Sequence, residues 1–206
     1  DIDIAFFSAG SSVSKVYAPI AAQAGAVIID NTSEFRYVDD IPLVVPEVNP
    51  LDIEQHVKTN IIANPNCSTI QMLVALKPIH ERYKILDINV CTYQAVSGSG
   101  KKGVDELLEQ SYSYLNQQDI KASVYPKQIA FNVIPFVDSF CENGYTKEEM
   151  KMVWETQKIL SKDITVNATA VRVPVLIGHS ESITIETESP IDIKDVISDF
   201  KDSEGI

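Results

Sequence analysis

The sequence predicts an α/β protein, with part of a parallel-sheet domain followed by an α+β domain. Three observations carry this. Short, continuous apolar runs alternate with helical stretches over the first third of the chain, as expected of strands buried on both faces. After about residue 66 the texture changes to amphipathic helices and alternating strands, which places the division between residues 1–66 and 67–206. Of the 206 residues, 45% are hydrophobic and 22% charged, enough apolar material for a sizeable core.

Each element can be justified in order. Ile4-Ala5-Phe6-Phe7 is the first apolar run and Ser8-Ala9-Gly10-Ser11-Ser12 the turn after it. An alanine-rich helix follows, interrupted by Pro19 and stopped by Gly25, and Ala26-Val27-Ile28-Ile29-Asp30 completes a right-handed βαβ unit. Leu43-Val44-Val45 and Asn60-Ile61-Ile62-Ala63 read as further strands, with a short helix over 52–58 between them. Residues 68–76 form an amphipathic helix ended near Pro78, residues 85–95 a long strand, and residues 103–115 a helix. Thr146-Lys147-Glu148-Glu149 is a capping box opening a helix to about Leu160. Val171, Val173 and Val175 alternate with Arg172 and Pro174, and Ser182-Ile183-Thr184-Ile185-Glu186 alternates too, which predicts paired strands with one wet face.

Charge and composition narrow the function. The chain carries 29 acidic residues against 17 basic ones, a net charge of −12, the opposite of a nucleic-acid binder's basic patch. No apolar run approaches the roughly 18 residues of a membrane span, and the start has no basic signal region. Cys67, Cys91 and Cys141 are widely spaced without a C-x-x-C pair, which argues against a disulfide framework or a metal site and for a reducing cytoplasm. The sequence begins inside a strand pattern without a methionine and stops after a charged helix-like stretch, so both ends read as cut.

Several near-motifs fail. The segment from Ala95 to Lys102 lacks the first glycine and the final Ser/Thr of a P-loop, and Gly178-His179-Ser180-Glu181-Ser182 lacks the last glycine of a nucleophile elbow. No G-x-G-x-x-G occurs among only 8 glycines. Asn66-Cys67-Ser68 and Asn167-Ala168-Thr169 match a glycosylation pattern without a secretory context.

Cys67 is the sharpest chemical candidate. It follows a predicted strand and an Asn64-Pro65-Asn66 turn, at the mouth of the next helix, where N–H groups and the helix dipole favour a thiolate able to attack a carbonyl carbon. The alternative is a small buried hydrophobe. Cys91 and Cys141 lack this setting and read as structural, while His56 and His80 read as surface residues. His179, just beyond a strand carrying Arg172, suits a general acid/base beside a carboxylate clamp, or a structural strand-end histidine. Glu148 and Lys151, three apart on the capped helix, are either a site pair or a solvated ion pair.

Taken together, seven segments resemble aspartate-semialdehyde dehydrogenases: Phe7 to Gly10, Asp30 to Ser33, Val44 to Asn49, Asn64 to Thr69, Thr92 to Gly98, Glu148 to Lys151, and Arg172 to Pro174 with His179-Ser180. The resemblance covers nearly the whole chain in family order. It implies a partial Rossmann-like parallel-sheet domain followed by an α+β catalytic and dimerisation domain. The reaction implied is NADPH-dependent reductive dephosphorylation of aspartyl-4-phosphate to the semialdehyde, on the route to lysine, methionine and threonine. By the same resemblance Cys67 is the nucleophile, His179 the acid/base, and Gln94 a residue placing the substrate or acyl intermediate. Arg172 grips the substrate carboxylate, Glu148 meets its amino group, and Arg36, Asn66 and Lys151 surround the phosphate. Ser8, Ala9, Gly10, Ser97 and Gly98 are the implied NADP contacts.

The family's N-terminal G-x-x-G-x-V/I-G loop and closing segment have no counterpart here, and the stretch between Leu115 and Phe131 is short for the family. The expectation is therefore an interior piece of a homodimeric or homotetrameric cytoplasmic enzyme acting on a small molecule, without nucleic-acid or membrane partners. The related N-acetyl-glutamyl-phosphate reductase is the enzymatic alternative, and a catalytically incomplete dimerisation piece the other. The free-amine contact of Glu148 and the Asn66-Cys67-Ser68-Thr69 context favour aspartyl phosphate.

Overall fold

The computed structural model describes residues 2–206. Its packing divides the chain into two compact units, one of residues up to Asp87 with Lys151–Thr165 and Ile185–Ile206, the other of Ile88–Met150 and Val166–Thr184. This is a division by packing, whereas the boundary expected at residue 66 is one by chain order.

The first unit is built on a parallel sheet. Strands β1 (Ile4–Phe7), β2 (Val27–Asp30) and β3 (Ile61–Ala63) lie in the order β1-β2-β3, with Phe7 opposite Asp30 and Asp30 opposite Ala63. Helix α1 (Ser11–Gln23) connects the first two and runs through Pro19, burying Ala18 and Ala22. The run Leu43-Val44-Val45 makes only a one-residue parallel bridge, Leu43 to Ala63, and not the expected strand. Pro42 and Pro46 flank it and remove the donors a ladder needs. The helix expected over 52–58 is a 3₁₀ helix, Pro50–Lys58.

Helix α2 (Cys67–Tyr83) corrects the expected stop near Pro78, because it continues for five residues beyond it. An interior proline costs about 3 kcal/mol. Beyond it Ile79 and Tyr83 are buried in register with Met72 and Leu76. Burying such a side chain contributes about 1.5–3 kcal/mol, so the two together outweigh the break. Helix α5 (Ile193–Asp202), capped by Asp192, lies on α2, where Arg82 pairs with Asp195 at 2.8 Å and Asp199 at 2.9 Å.

The second unit centres on β4 (Ile85–Gln94), whose buried residues Ile88, Val90, Thr92 and Gln94 recur every second position. It lies between β5 (Thr165–Arg172) and β6 (Ser180–Thr187), in the order β5-β4-β6. The two outer strands, expected to pair with each other, are therefore separated by β4, though β6 keeps the expected wet face. Helix α3 (Lys101–Leu115) adds a cluster of Val96, Leu107, Ile129, Ala130 and Ile134. The capping box forms as the sequence implies: Glu149 N–H donates to Thr146 Oγ1 at 3.2 Å and Thr146 N–H to Glu149 Oε2 at 2.6 Å, opening α4 (Lys147–Ile159).

Candidate active site

The predicted site residues fall into two groups, one in each unit. In the first, the carboxyl ends of three parallel strands set the geometry, which is where open α/β sheets bind ligands. The exposed Ser8-Ala9-Gly10 turn follows β1, and Gly10 caps α1 with a φ of 101° that only glycine adopts freely. After β2, buried Asp30 accepts from Ser14 Oγ at 2.7 Å and Thr32 Oγ1 at 2.8 Å, shaping the turn that leads to Arg36. Asn64, after β3, donates to Asn31 Oδ1 at 2.7 Å and ties the two turns together.

Cys67 is the first residue of α2 and is exposed, between buried Asn66 and Ser68. Exposure removes the buried-hydrophobe reading and leaves the thiol at a helix N-terminus. Its Sγ lies 3.9 Å from Asn66 Oδ1. Arg36, 6% exposed, donates from Nε to Thr32 O at 3.0 Å, from Nη2 to Asn31 O at 3.3 Å and from Nη1 to Glu155 Oε1 at 3.0 Å. Those contacts use three of the five donors of a guanidinium. Lys151 is half-buried on α4.

The second unit gathers Gln94, Glu148, Arg172 and His179. Gln94 ends β4 on its buried register, and its Nε2 donates to Glu148 Oε1 at 3.1 Å. Glu148 is 6% exposed, so it is not one half of a solvated ion pair. Arg172 ends β5, where mutual N–H···O bonds of 2.9 Å with Ile134 pin its backbone. Its Nη1 donates to Ala95 O at 2.6 Å and its guanidinium lies 5.8 Å from the Tyr125 ring centre. The chain after β5 runs back along the end of β4, with Val96 N–H on Val175 O at 2.9 Å and Ser97 N–H on Leu176 O at 3.1 Å. That return delivers His179, whose Nδ1 accepts from Ala95 N–H at 3.0 Å.

Burial pulls the His179 ring below its ordinary range; Arg172 adds to the fall and Glu148 opposes it. At exposed Gly98 a Cβ would stand 3.2 Å from Arg172 Nη1 and 3.3 Å from His179 Cε1, so the glycine keeps the space beside both side chains clear. Cys91 and Cys141 are half-buried, as are His56 and His80.

Three participants escape a reading of the sequence. Glu155, fully buried, touches both Arg36 and Asn66, and its only sequence signal is its place four residues after Lys151 and seven after Glu148. The Ala95 backbone meets His179 and Arg172 but has no side-chain signature. Glu106 collects the N–H groups of Ser123, Val124 and Tyr125, a loop bond that helix periodicity does not reveal.

A parallel sheet with a thiol at its carboxyl edge, and a unit in which His179 and Arg172 both border Gly98, accord with the semialdehyde dehydrogenase family. The chain belongs to that family: the model described as semialdehyde dehydrogenase, NAD binding domain, matches residues 1–56, and that described as semialdehyde dehydrogenase, dimerisation domain, matches 76–206. It is similar to the aspartate-semialdehyde dehydrogenase of Shewanella sp. (strain DB6705), 61% identical over 204 residues, which are 98% of this chain and 60% of that protein. The crystal structure of aspartate semialdehyde dehydrogenase II from Vibrio cholerae complexed with ASA matches with a TM-score of 0.98 at 58% identity, over 98% of this chain and 61% of that one. The Candida albicans aspartate semialdehyde dehydrogenase with NADP matches with a TM-score of 0.73 at 26% identity, over 98% and 56%. The chain thus spans about 60% of the length of the curated relatives it matches. No described helix is long and apolar enough to cross a membrane.

Proposed function

We propose that the protein to which this chain belongs is an aspartate-semialdehyde dehydrogenase, reducing aspartyl-4-phosphate to the semialdehyde with release of phosphate. The observation that carries the reading is Cys67, an exposed thiol at the first position of α2 on the carboxyl edge of a parallel sheet. Its Sγ would bond to the acyl carbon of the substrate as the carbon–oxygen bond to phosphate breaks, leaving a thioester. The α2 N-terminus favours the thiolate needed for that attack. Arg36, Asn66 and Lys151 take the roles of phosphate contacts, and two N–H groups of Arg36 remain after its three protein bonds.

Arg172 is suited to a substrate carboxylate and buried Glu148 to a free ammonium group, with Gln94 holding the Glu148 carboxylate in place. A buried carboxylate at the amine position disfavours the N-acetylated substrate of the related reductase, which has no charge to offer it. Because His179 Nδ1 accepts a backbone N–H, the neutral ring carries its proton on Nε2 and is a donor toward a developing oxyanion or a leaving group.

NADP is the implied cofactor, and two features of the chain fit it. The Ser8-Ala9-Gly10 turn is exposed at the start of α1, a setting that suits phosphate, and Gly98 leaves room for a flat ring beside His179. Ser97 would share that second contact. When bound, the reduced cofactor supplies the hydride that converts the thioester to the aldehyde. A homodimer or homotetramer and a cytoplasmic setting complete the reading, supported by the dimerisation-domain match and by the free thiols of Cys67, Cys91 and Cys141.

The test is an assay of the intact protein in the reverse direction, with semialdehyde, NADP and phosphate. Phosphate-dependent NADPH formation that disappears in Cys67→Ala supports the reading. Activity surviving that substitution, or equal use of the N-acetyl-glutamyl semialdehyde, would overturn it.

A further inference from the structure

Glu155 lies inside the first unit with no exposure, yet its carboxylate is tied to the two residues flanking the anion side of the site. Oε1 accepts from Arg36 Nη1 at 3.0 Å and Tyr37 OH at 3.4 Å, and Oε2 accepts from Asn66 N–H at 2.7 Å. One side chain therefore joins the guanidinium to the residue that immediately precedes Cys67. Neighbours on α4 hold the same segment. Trp154 meets the Tyr37 ring edge-on at 5.3 Å, and Lys158 Nζ donates to the carbonyls of Arg36 at 2.9 Å, Val38 at 2.7 Å and Ile41 at 2.9 Å.

Stability alone is a poor account of this arrangement. A buried ion pair must overcome the desolvation of both charges, and well-packed apolar residues of similar volume often hold a fold as well or better. Desolvation is in fact the largest influence on Glu155, raising its carboxyl against the pull of Arg36 and Asn66. What a carboxylate adds over an apolar residue is direction. It fixes one edge of the Arg36 guanidinium, as the Thr32 and Asn31 carbonyls fix the rest, so that its remaining N–H groups keep one orientation.

We propose that Glu155 is the positioning residue of the phosphate site, aiming Arg36 and anchoring the Asn66 turn from beneath. The inference rests on the reading of Arg36 as a phosphate contact. It predicts that the phosphate site fails in KM when Glu155 changes, while the semialdehyde is bound as before.

The experiment is reverse-direction kinetics of the intact protein with inorganic phosphate varied, for wild type, Arg36→Ala, Glu155→Gln and the double variant. Glu155→Gln is expected to raise the phosphate KM about tenfold, the equivalent of one lost charge-assisted contact, and leave the semialdehyde KM in place. In the double variant the phosphate KM should be no worse than in Arg36→Ala, since the two act as one unit. Glu155→Asp keeps the charge but withdraws it by one methylene, and it provides a second, milder variant should the glutamine form fold poorly; an intermediate phosphate KM is expected. If Arg36→Ala raises the phosphate KM while both Glu155 variants leave it at the wild-type value, the positioning role is wrong and the proposed function stands. If Arg36→Ala has no effect on phosphate, the phosphate-site reading itself falls and the role of Glu155 falls with it. Equal losses in both substrates' KM would mark Glu155 as merely structural and overturn the inference.

Discussion

The backbone N–H of Ala95 donates to Nδ1 of His179 at 3.0 Å, which holds the ring in the tautomer protonated at Nε2. Protonating Nδ1 would break that bond, and burial beside Arg172 further disfavours the imidazolium. The ring should titrate below 6.5, its ordinary value, and show the Nε2–H tautomer at pH 7. Because the folded pKa lies below the unfolded one, the unfolded chain binds more protons between the two. The stability from the neutral ring is complete above about 6.5 and drains away as pH falls toward the folded pKa. Nitrogen-15 spectra of the ring across pH 5–8 measure both; a midpoint at or above 6.5 would refute the prediction.

Gly98→Ala probes the space beside this ring. The backbone there tolerates alanine, but the new Cβ would sit 3.2 Å from Arg172 Nη1 and 3.3 Å from His179 Cε1. Both side chains must give by a few tenths of an ångström. Displacements of about 1 Å cost on the order of 100-fold in rate, so a loss of about tenfold in kcat/KM is expected. Thermal denaturation should shift little. An alanine variant with wild-type kinetics would show that the clearance has no function.

Cys67 should be the fastest of the chain's three thiols. It is exposed at a helix N-terminus, whereas Cys91 and Cys141 are half-buried. Iodoacetamide under native conditions, followed by peptide mass analysis, should label Cys67 well ahead of the other two. Phosphate should slow the labelling if the anion binds beside the sulfur. Uniform labelling would argue against an activated thiol.

Glu106 tests the second unit's frame. Burial would raise its carboxyl, but hydrogen bonds from Ser123, Val124 and Tyr125 outweigh that and hold it below the usual carboxylate range. The side chain also receives Gln110 Nε2 at 3.3 Å. Glu106→Gln turns an acceptor into a donor facing donors, and a loss of about 2–4 kcal/mol is expected. With the folded pKa below 4.5, this contribution is present above that value and is lost as pH falls through the folded pKa. Urea denaturation of wild type and variant at pH 7 and pH 4 should show the difference narrowing in acid.

Much of the framework was legible in the residues. The apolar runs at Ile4 and Val27, the capping box at Thr146 and the alternation along β4 are local patterns, and each formed where its spacing required. Reading failed where a non-local term decided. Pro78 ends a helix in isolation, but burial of Ile79 and Tyr83 carries α2 past it. Strands β5 and β6 have the pattern of a pair, yet β4 lies between them, because alternation records a wet face and not a neighbour.

The sequence by itself determined the chemistry on offer: a thiol at a helix mouth, a histidine beyond a strand carrying an arginine, and an acidic capped helix. These depend on residue type and short spacing. Only the tertiary structure decided how those groups are held. The Ala95 N–H on His179, Gln94 on Glu148, and Glu155 beneath Arg36 and Asn66 join residues 54 to 119 positions apart. Such bonds follow from packing and desolvation, which select partners in space that periodicity along the chain does not record.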